Sequence, residues 1–367
     1  MMASVNYFIK KATDWLFRKK SPALYAARSG FFLMTVSLTG SWAMFVTYYD
    51  SEHFFKVNYH SSHVGAFIAL IGFLLGCAAF IGGLLWEFKC YIDESKLRAR
   101  KKIIVIEQRG LLDTTDTPLE DYIASHSNIN TESVINDVRE RITNNVITRP
   151  DLALLKLQHL NNDIQVRKER LNSSDISIAY GGIMPVPFAF YTGYMLDDET
   201  NISIYDWDRD ESSWKEVDEE DDFETFGITS NDIATPEAVI AISFSYLVDK
   251  VAIESEFDGK SIHYLTLPKR NRNNHWSRAK QNRLAGDFLE FCKSLQERGV
   301  DKIHLILASQ NSVSFRFGQV YDKRNLPRLA IYQYEKHADI KYAWSIAIPC
   351  ISDTSPSINF KESILAA

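Results

Sequence analysis

Two long apolar runs lie near the start of the chain. Residues 30–49 and 64–86 contain 20 and 23 consecutive residues without Asp, Glu, Lys or Arg. A helix needs about 20 apolar residues to cross a hydrocarbon core about 30 Å thick, so both runs are long enough to span a membrane. The polar residues 50–63 between them are short. The pattern therefore predicts an antiparallel hairpin of two transmembrane helices joined by a periplasmic connection.

Lysine and arginine are distributed unevenly around these runs. Six precede the first run and six follow the second by residue 102, whereas the connection contains only Lys56. This asymmetry predicts that both termini lie in the cytoplasm. Residues 1–29 form a basic segment in which residues 5–20 are either an amphipathic helix at the membrane surface or a frayed basic tail.

Small residues recur along the second run with the period of a helix, which places them in one stripe. They are Gly65, Ala69, Gly72, Gly76, Ala79 and Gly83. Small residues at this spacing allow helix backbones to approach closely in lipid. We expect the stripe to pack helices tightly, either within the hairpin or between chains.

The cytoplasmic part contains a pattern that occurs twice. Residues 87–150 are expected to form a juxtamembrane connector, with a strand at 103–107 and helix over 131–170 broken at Pro150. From residue 151, a helix, an apolar β run, a loop and a second β run follow one another, and the same order returns later in the chain. Matching residues are 127 apart for Ile176/Ile303 and 125 apart for Gly193/Gly318. The sequence predicts duplicated βα units with parallel sheets, a first unit over residues 151–258 and a second over residues 259–355 of a domain extending to residue 367.

Ligands of such sheets bind beyond the carboxyl ends of the strands. In a duplicated pair these ends converge at a pseudo-twofold axis, which suits a ligand with repeating nucleotide units. Aromatic side chains there can stack on bases and basic ones can bind phosphate, although each aromatic residue can equally be an ordinary core or rim residue. The candidate ligand-binding residues are Gly181, Gly182, Met184, Pro185, Phe188, Tyr191, Trp207, Ser309, Gln310, Ser312, Arg316, Tyr332, Tyr334, Lys269 and Arg270.

Charge is strongly segregated within a chain of net charge −6. Residues 197–224 contain 14 acids and two bases, and residues 268–283 contain six bases and no acid. The acidic run is interpreted as a solvated loop and the basic run as a solvated face. Two alternatives stay open: head-to-tail contact between neighbouring chains, or a basic run that lines the path of the phosphates.

Motifs of catalysis and metal binding are missing from the sequence. The four cysteines have no metal-binding spacing, and the acids around Asp206 fail the EF-hand pattern at Glu211 and Val217. No phosphate-binding G-x-x-x-x-G-K-[ST], H-E-x-x-H or G-x-S-x-G occurs. The sequence predicts a protein that is not an enzyme and has neither metal nor cofactor, and its net charge excludes a generally basic binder of DNA or RNA.

The second copy, with IHLILASQNSVSFRFGQVY and LPRLAIYQYE, resembles the C-terminal half of SAVED domains, and GGIMPVPFAFYTGYML resembles the first half. The resemblance covers about residues 160–350 and implies two CARF-like, Rossmann-related units in pseudo-twofold duplication. With the α-helical two-span hairpin in front, the whole chain resembles the transmembrane SAVED effectors of CBASS anti-phage systems.

The resemblance implies a function and several partners. A CD-NTase nucleotidyltransferase would supply a cyclic di- or trinucleotide, for example a cGAMP isomer or a cyclic triadenylate. Binding would drive homo-oligomers in the bacterial inner membrane, where the hairpins form an ion-conducting pore or disrupt the lipid bilayer. Two alternatives remain: a membrane-tethered phosphodiesterase that destroys the cyclic nucleotide, and a constitutive membrane scaffold without a small ligand.

Overall fold

The computed structural model describes residues 21–40, 43–47, 56–60, 63–127, 129–143, 146–169, 175–197, 202–321, 326–348 and 355–361. The chain divides into two compact units, residues 1–99 and residues 100–367. Residues 1–20 of the predicted basic segment and most of the predicted periplasmic connection lie outside the described residues.

The first unit is a pair of helices with a small hairpin between them. Its elements are α1 (Pro22–Gly40), β1 (Ala43–Thr47), β2 (Lys56–His60) and α2 (His63–Arg100). Strands β1 and β2 pair antiparallel. Within the described part, one helical stretch, Phe67–Lys96, is long and apolar enough to cross a membrane.

The first predicted span differs from the observed elements. Of the predicted span 30–49, residues 30–40 lie in helix α1, whereas Ala43–Thr47 forms a strand. Methionine, phenylalanine, valine and threonine follow one another in that strand, and aromatic and β-branched residues favour strands. The apolar part of α1 is therefore shorter than the roughly 20 residues that a membrane crossing needs.

Small residues bring α1 and α2 into close contact. A Cβ atom built on Gly76 would lie 2.8 Å from the backbone nitrogen of Met34, and one on Gly83 would lie 2.5 Å from that of Ala27. At Gly72 the nearest atom is Oγ of Ser37, at 2.5 Å. Three members of the predicted stripe thus lie against α1. At Gly82, in the same helix, an added Cβ would meet nothing within 4 Å.

The second unit contains two large sheets, one two-stranded sheet and six α-helices among its described residues. The five-stranded sheet consists of β3 (Lys102–Arg109), β4 (Asn130–Asp137), β7 (Ile176–Ile183), β8 (Ile202–Asp208) and β9 (Ser213–Glu216), in the order β4-β3-β7-β8-β9. Strands β3, β4, β7 and β8 are parallel, and β9 pairs antiparallel with β8. Helices α3 (Leu119–His126), α4 (Pro150–Glu169) and α5 (Val186–Met195) make its crossovers, and β5 (Ile142–Thr143) pairs with β6 (Val146–Ile147) beside them.

The seven-stranded sheet repeats this plan. Its strands are β10 (Gly227–Asn231), β11 (Glu237–Ser243), β12 (Ser261–Thr266), β13 (Lys302–Ala308), β14 (Arg328–Tyr332), β15 (Trp344–Ile348) and β16 (Ser357–Phe360), in the order β10-β12-β11-β13-β14-β15-β16. Its helices are α6 (Lys250–Glu256), α7 (Arg278–Glu297) and α8 (Asn311–Gln319). The core pairs β12–β11, β11–β13 and β13–β14 are parallel. The two sheets therefore share a βαβαβαβ core, with β3 equivalent to β11 and β7 equivalent to β13.

The duplication is longer than the sequence predicted and is divided elsewhere. The first repeat begins at β3, inside the expected connector, and the predicted boundary at residues 258/259 falls inside the second sheet. The expected helix over residues 131–148 is wrong, because Asn130–Asp137 is a strand. This strand lies at the edge of its sheet, so it pairs on one side only and carries polar residues that mask its β character.

Helices α5 and α8 join the two halves. A Cβ atom on Gly193 would lie 1.9 Å from the carbonyl oxygen of Phe315, and one on Gly318 would lie 1.9 Å from that of Phe190. This reciprocity is the signature of a pseudo-twofold axis, since each contact maps onto the other when the halves are exchanged. The ring of Tyr180 stacks on Phe315 at 3.8 Å between centroids, in the same continuous core.

Candidate ligand-binding site

The loops that follow β7 and β13 meet beside the pseudo-twofold axis. The side chain of Asn311 accepts a hydrogen bond from the backbone N–H of Met184 at 2.8 Å and donates one to its carbonyl oxygen at 3.0 Å. At the end of β8, the buried carboxylate of Asp206 accepts from the backbone N–H of Ser312 at 2.9 Å. The carboxyl ends of the central strands are thus held together in a fixed arrangement.

A cavity of about 630 Å³ opens at the carboxyl ends of the first half, and we call it the first lobe. Its wall combines apolar, aromatic and charged side chains with one residue from the other half, Gln333. The lining residues are Leu111, Leu112, Asp113, Ile183, Trp207, Arg209, Ser212 and Gln333. Arg209 is its only cation and Trp207 its only aromatic ring among these residues.

A second cavity, of about 400 Å³, lies at the carboxyl ends of the other half, and we call it the second lobe. It has a more aromatic wall than the first lobe and no lysine or arginine among its lining residues. Its lining residues include Tyr246, Leu247, Asp249, Ser309, Tyr332, Gln333, Tyr334 and Tyr342, and Val186 lines it from the first half. Since Gln333 lines both cavities, the lobes are neighbours across the pseudo-twofold axis.

A hydrogen-bonded chain fixes the orientation of Tyr332 behind the second lobe. Its hydroxyl lies 2.9 Å from Nδ1 of His304, whose Nε2 lies 3.0 Å from the carboxylate of Glu237. Burial lowers the pKa of His304 to about 4. Hydrogen bonds from Lys260 and His304 lower the pKa of Glu237 to about 2. Because the hydroxyl of Tyr332 is hydrogen-bonded to His304, the part of Tyr332 that can contact a ligand in the lobe is its ring.

A second hydrogen-bonded chain runs along the rim of the site from one half to the other. Asp210, next to the first lobe, pairs with Arg272, and the carbonyl oxygen of Arg272 accepts from Nε2 of Gln310 at 2.9 Å. Gln310 also donates to the hydroxyl of Tyr246 at 3.0 Å. These contacts connect the walls of the two lobes.

Seven of the predicted site residues lie at the lobes or at the junction of the loops. Trp207 lines the first lobe, and Ser309, Tyr332 and Tyr334 line the second. Gln310 lies on the rim, Met184 bonds to Asn311 at the junction of the loops, and Pro185 stands at the N-cap position of α5.

Other predicted residues are interior and line neither lobe. They are Gly181, Gly182, Phe188, Tyr191, Ser312 and Arg316. Gly181 is inside β7, where an added Cβ would lie 2.7 Å from the side chain of Leu119, and Phe188 packs against Trp344 in the core. Burial lowers the pKa of Arg316 to about 10, and its guanidinium donates to Gln319 at 2.6 Å. Sequence spacing identified the strand ends but not which side chains face inward.

The basic and acidic runs pair with each other inside the chain. Lys280, with a side chain 2% exposed, binds Asp222 at 2.6 Å and Glu224 at 2.9 Å. Arg283 binds Asp221 at 2.8 Å. The expectation that these runs are simply solvated is therefore wrong for Lys280, and much of their charge is neutralised without a neighbouring chain.

Lys269 belongs to the same contact between the two runs, and Arg270 follows it in the chain. The backbone N–H of Lys269 donates to Glu224 at 3.2 Å, and the guanidinium of Arg270 donates to the carbonyl oxygen of Leu267. Neither residue lines either lobe. Lys269 thus helps to hold the acidic loop in place through its backbone, whereas Arg270 bonds within its own loop.

Several lining residues have no signal in the sequence. Leu111, Asp113 and Arg209 follow strands β3 and β8, and Tyr246 and Asp249 follow β11. The sequence pattern places β3 in the connector and β11 in the first repeat, so it does not point to the loops after these strands. No group of three or more His, Cys, Asp or Glu residues in the described part of the chain is arranged to hold a metal ion.

Comparison with protein families identifies both parts of the chain. Residues 2–154 match the family model of the SAVED-fused 2TM effector domain. Residues 160–348 match that of SAVED, described as the SMODS-associated and fused to various effectors sensor domain. No curated protein matches the chain.

Solved structures resemble the chain at low sequence identity. Two are of the Acinetobacter baumannii Cap4 SAVED/CARF-domain containing receptor, with the cyclic trinucleotides 2′3′3′-cAAA and 3′3′3′-cAAA. Both are 12% identical and match 78% of this chain and 60% of theirs, with TM-scores of 0.46 and 0.45. The Moraxella osloensis Cap4 receptor is 11% identical, with 75% of this chain and 58% of that one covered and a TM-score of 0.38. The chain spans about 60% of the length of the first two structures.

Proposed function

The chain belongs to the SAVED family, with a sensor domain of that family joined to a 2TM effector domain, and from this premise we propose that it is a CBASS effector. Its two-lobed site binds a cyclic di- or trinucleotide made by a partner CD-NTase. Binding drives homo-oligomerisation, and the assembled membrane helices open a pore or disrupt the inner membrane. The main support for this proposal is the bipartite site, in which both lobes are lined by Gln333.

The geometry of the lobes favours a ligand that is itself repetitive. Each lobe lies at the carboxyl ends of one half, and the reciprocal contacts of Gly193 and Gly318 relate the halves by a pseudo-twofold axis. A cyclic oligonucleotide presents similar units around a ring, so neighbouring units can occupy neighbouring lobes. Trp207 and the tyrosines of the second lobe supply faces for base stacking, and Arg209 supplies a cation for phosphate.

The membrane part is proposed to cross the bilayer twice, with both termini in the cytoplasm, which requires the apolar run of residues 30–49 to be helical beyond Gly40 once it lies in lipid. Helix α2 supplies an apolar stretch of sufficient length, and the match to the 2TM effector domain covers residues 2–154. The excess of lysine and arginine outside the connection supports the orientation. A ligand must bind the assembled state about 5.5 kcal/mol more favourably to shift the population from 1% to 99%. Several stacked bases and charge-assisted phosphate contacts can supply this difference.

Calorimetric titration of the full chain in detergent micelles tests the proposal. A panel of cyclic di- and trinucleotides is titrated, the mass of the complex is followed by light scattering, and the nucleotide is recovered by chromatography. We expect one nucleotide to bind, to be recovered intact and to increase the mass. Hydrolysed nucleotide would establish the phosphodiesterase instead, and a constant mass with no binding would establish the scaffold.

A further inference from the structure

The second lobe contains a carboxylate but no basic side chain among its lining residues. Asp249 is its only acid, and the other described lining residues are apolar, aromatic or neutral polar. The first lobe, by contrast, contains Arg209. The lobes therefore cannot bind the same part of a ligand equally well, because a carboxylate without a counter-ion repels phosphate.

Both carboxylate oxygens of Asp249 can accept a further hydrogen bond from a ligand, because each oxygen has two lone pairs. Asp249 caps helix α6, and its Oδ1 accepts from the backbone N–H of Ala252 at 3.1 Å. Its Oδ2 lies 3.5 Å from the hydroxyl of Tyr334, which is a long and weak contact. The ammonium group of the neighbouring Lys250 lies over the ring of Tyr264, 4.5 Å from its centroid. Among the described residues, no lysine or arginine nitrogen lies within 4.0 Å of this carboxylate.

Tyrosine rings line the same cavity as Asp249. Tyr246 and Tyr334 are 44% and 42% exposed, and both line the cavity with Asp249. The rings of Tyr334 and Tyr342 are 5.6 Å apart. A planar base can thus stack on a tyrosine while its edge faces the carboxylate.

An ionised carboxylate only accepts hydrogen bonds. The Watson–Crick edge of guanine presents two adjacent donors, N1–H and the N2 amino group, whereas adenine presents one amino donor beside the acceptor N1. We propose that the second lobe selects a guanine base of the cyclic oligonucleotide and that Asp249 recognises its edge. The first lobe, with Arg209 and Trp207, takes an adjoining phosphate and base. This inference rests on the proposed function of the site.

The test compares probes that differ in their bases alone. Full chain in detergent micelles is titrated with cyclic di-AMP, cyclic GMP–AMP and cyclic di-GMP, and with cyclic triadenylate and its counterpart containing one guanosine, all 3′–5′-linked. Either the dinucleotides or the trinucleotides are expected to bind. Within the series that binds, the guanine-containing nucleotide should have about tenfold higher affinity than its all-adenine counterpart, which is the size of one good bidentate contact.

Substitution of Asp249 then tests the residue itself. Asp249→Asn retains a capping side chain, and its amide can both donate to and accept from adenine, so the preference is expected to disappear or reverse. Asp249→Ser also retains a cap but cannot form the paired contact, and it should bind both bases without preference. Asp258→Asn, in the exposed turn after α6, is the matched control and should leave the preference unchanged. Thermal unfolding of each variant checks that α6 remains folded.

Each adverse result has a distinct meaning. Equal or tighter binding of the all-adenine probe by the unsubstituted chain overturns guanine selection and leaves the proposed function intact. A guanine preference that survives Asp249→Asn overturns the role of Asp249. Binding of none of the probes overturns the proposed function and this inference together.

Discussion

Two glycines set how closely the halves of the second unit approach each other. Gly193 and Gly318 each face the backbone carbonyl oxygen of a phenylalanine in the opposite helix. In the sequence, Gly193 and Gly318 are 125 residues apart, and so are Phe190 and Phe315. The sequence does not show that Gly193 contacts Phe315 and that Gly318 contacts Phe190, because these contacts depend on the tertiary arrangement of α5 and α8.

Gly193→Ala is expected to destabilise the chain strongly. The new methyl group would lie 1.9 Å from the oxygen of Phe315, in contact with backbone that can move only if α5 and α8 separate. We expect a loss of about 3 kcal/mol or more in the free energy of unfolding, measured by denaturant titration of the full chain in micelles.

Gly286→Ala is the matched control for this substitution. Gly286 lies in α7, where an added Cβ meets nothing within 4 Å, so alanine should raise the stability by about 0.5–1 kcal/mol. Similar unfolding curves for the two variants would show that the halves are not packed through Gly193.

Buried histidines make the stability of the second unit dependent on pH. Burial lowers the pKa of His304 from its ordinary 6.5 to about 4, and it also lowers the pKa values of His263 and His275. Between these pH values the unfolded chain binds more protons than the folded chain. The stabilisation is therefore complete above about pH 6.5 and is lost as the pH falls toward about 4.

The free energy of unfolding should fall over that interval by about 3 kcal/mol from His304 alone, by linkage. Denaturant titrations at a series of pH values measure this slope. His304→Gln should reduce it, whereas His337→Gln, at an exposed position, should not. An unchanged slope in His304→Gln would contradict a neutral buried imidazole beside Tyr332.

At the scale of elements, the sequence predicted best where one pattern was strong and local. The apolar strands β7, β8, β13 and β14 and the helices α4 and α7 that precede β7 and β13 follow from their sequence patterns, whereas residues 186–195, predicted as a loop, form helix α5. Strand β4 has a weak sequence signal, because an edge strand carries polar residues on its open side. The pairing of residues 221–224 with residues 280–283 was missed because it joins segments about 60 residues apart, and charge patterning along a sequence does not reveal such partners.

In the candidate site, too, residues with a local sequence signal could be predicted and residues placed by distant contacts could not. The strand ends at Trp207, Ser309, Tyr332 and Tyr334 could be predicted because parallel strands bind ligands at their carboxyl ends. Asp249 and Arg209 could not, since their place in the site depends on which loops converge across the pseudo-twofold axis.

Within the helical hairpin, Gly76→Leu is expected to separate α1 from α2. An added Cβ would lie 2.8 Å from the backbone nitrogen of Met34 and 2.9 Å from the carbonyl oxygen of Gly30, so a leucine cannot be accommodated. We expect nucleotide-triggered dye release from vesicles containing this variant to fall severalfold, because tight helix packing in lipid depends on close backbone approach.

Gly82→Leu provides the comparison in the same helix. Its Cβ meets nothing within 4 Å inside the first unit, so the fold of the hairpin should tolerate leucine. Equal dye release from Gly76→Leu and the unsubstituted chain would contradict a role for the packed stripe.

At the scale of the whole molecule, a two-lobed sensor and an apolar helical pair are joined in one chain. The described residues provide a bipartite site at the carboxyl ends of two related sheets and show no metal cluster. The two family matches adjoin each other along the chain. The effector model ends at residue 154, and the sensor model begins at residue 160. This organisation favours a protein that converts ligand binding into a change at the membrane.

Dye release from vesicles containing the full chain, before and after addition of cyclic oligonucleotides, tests this account most directly. We predict vesicles that stay sealed without nucleotide and leak within minutes of adding one cyclic oligonucleotide of the panel, while noncyclic nucleotides have no effect. Release that occurs without nucleotide, or vesicles that remain sealed with every cyclic oligonucleotide, would contradict it.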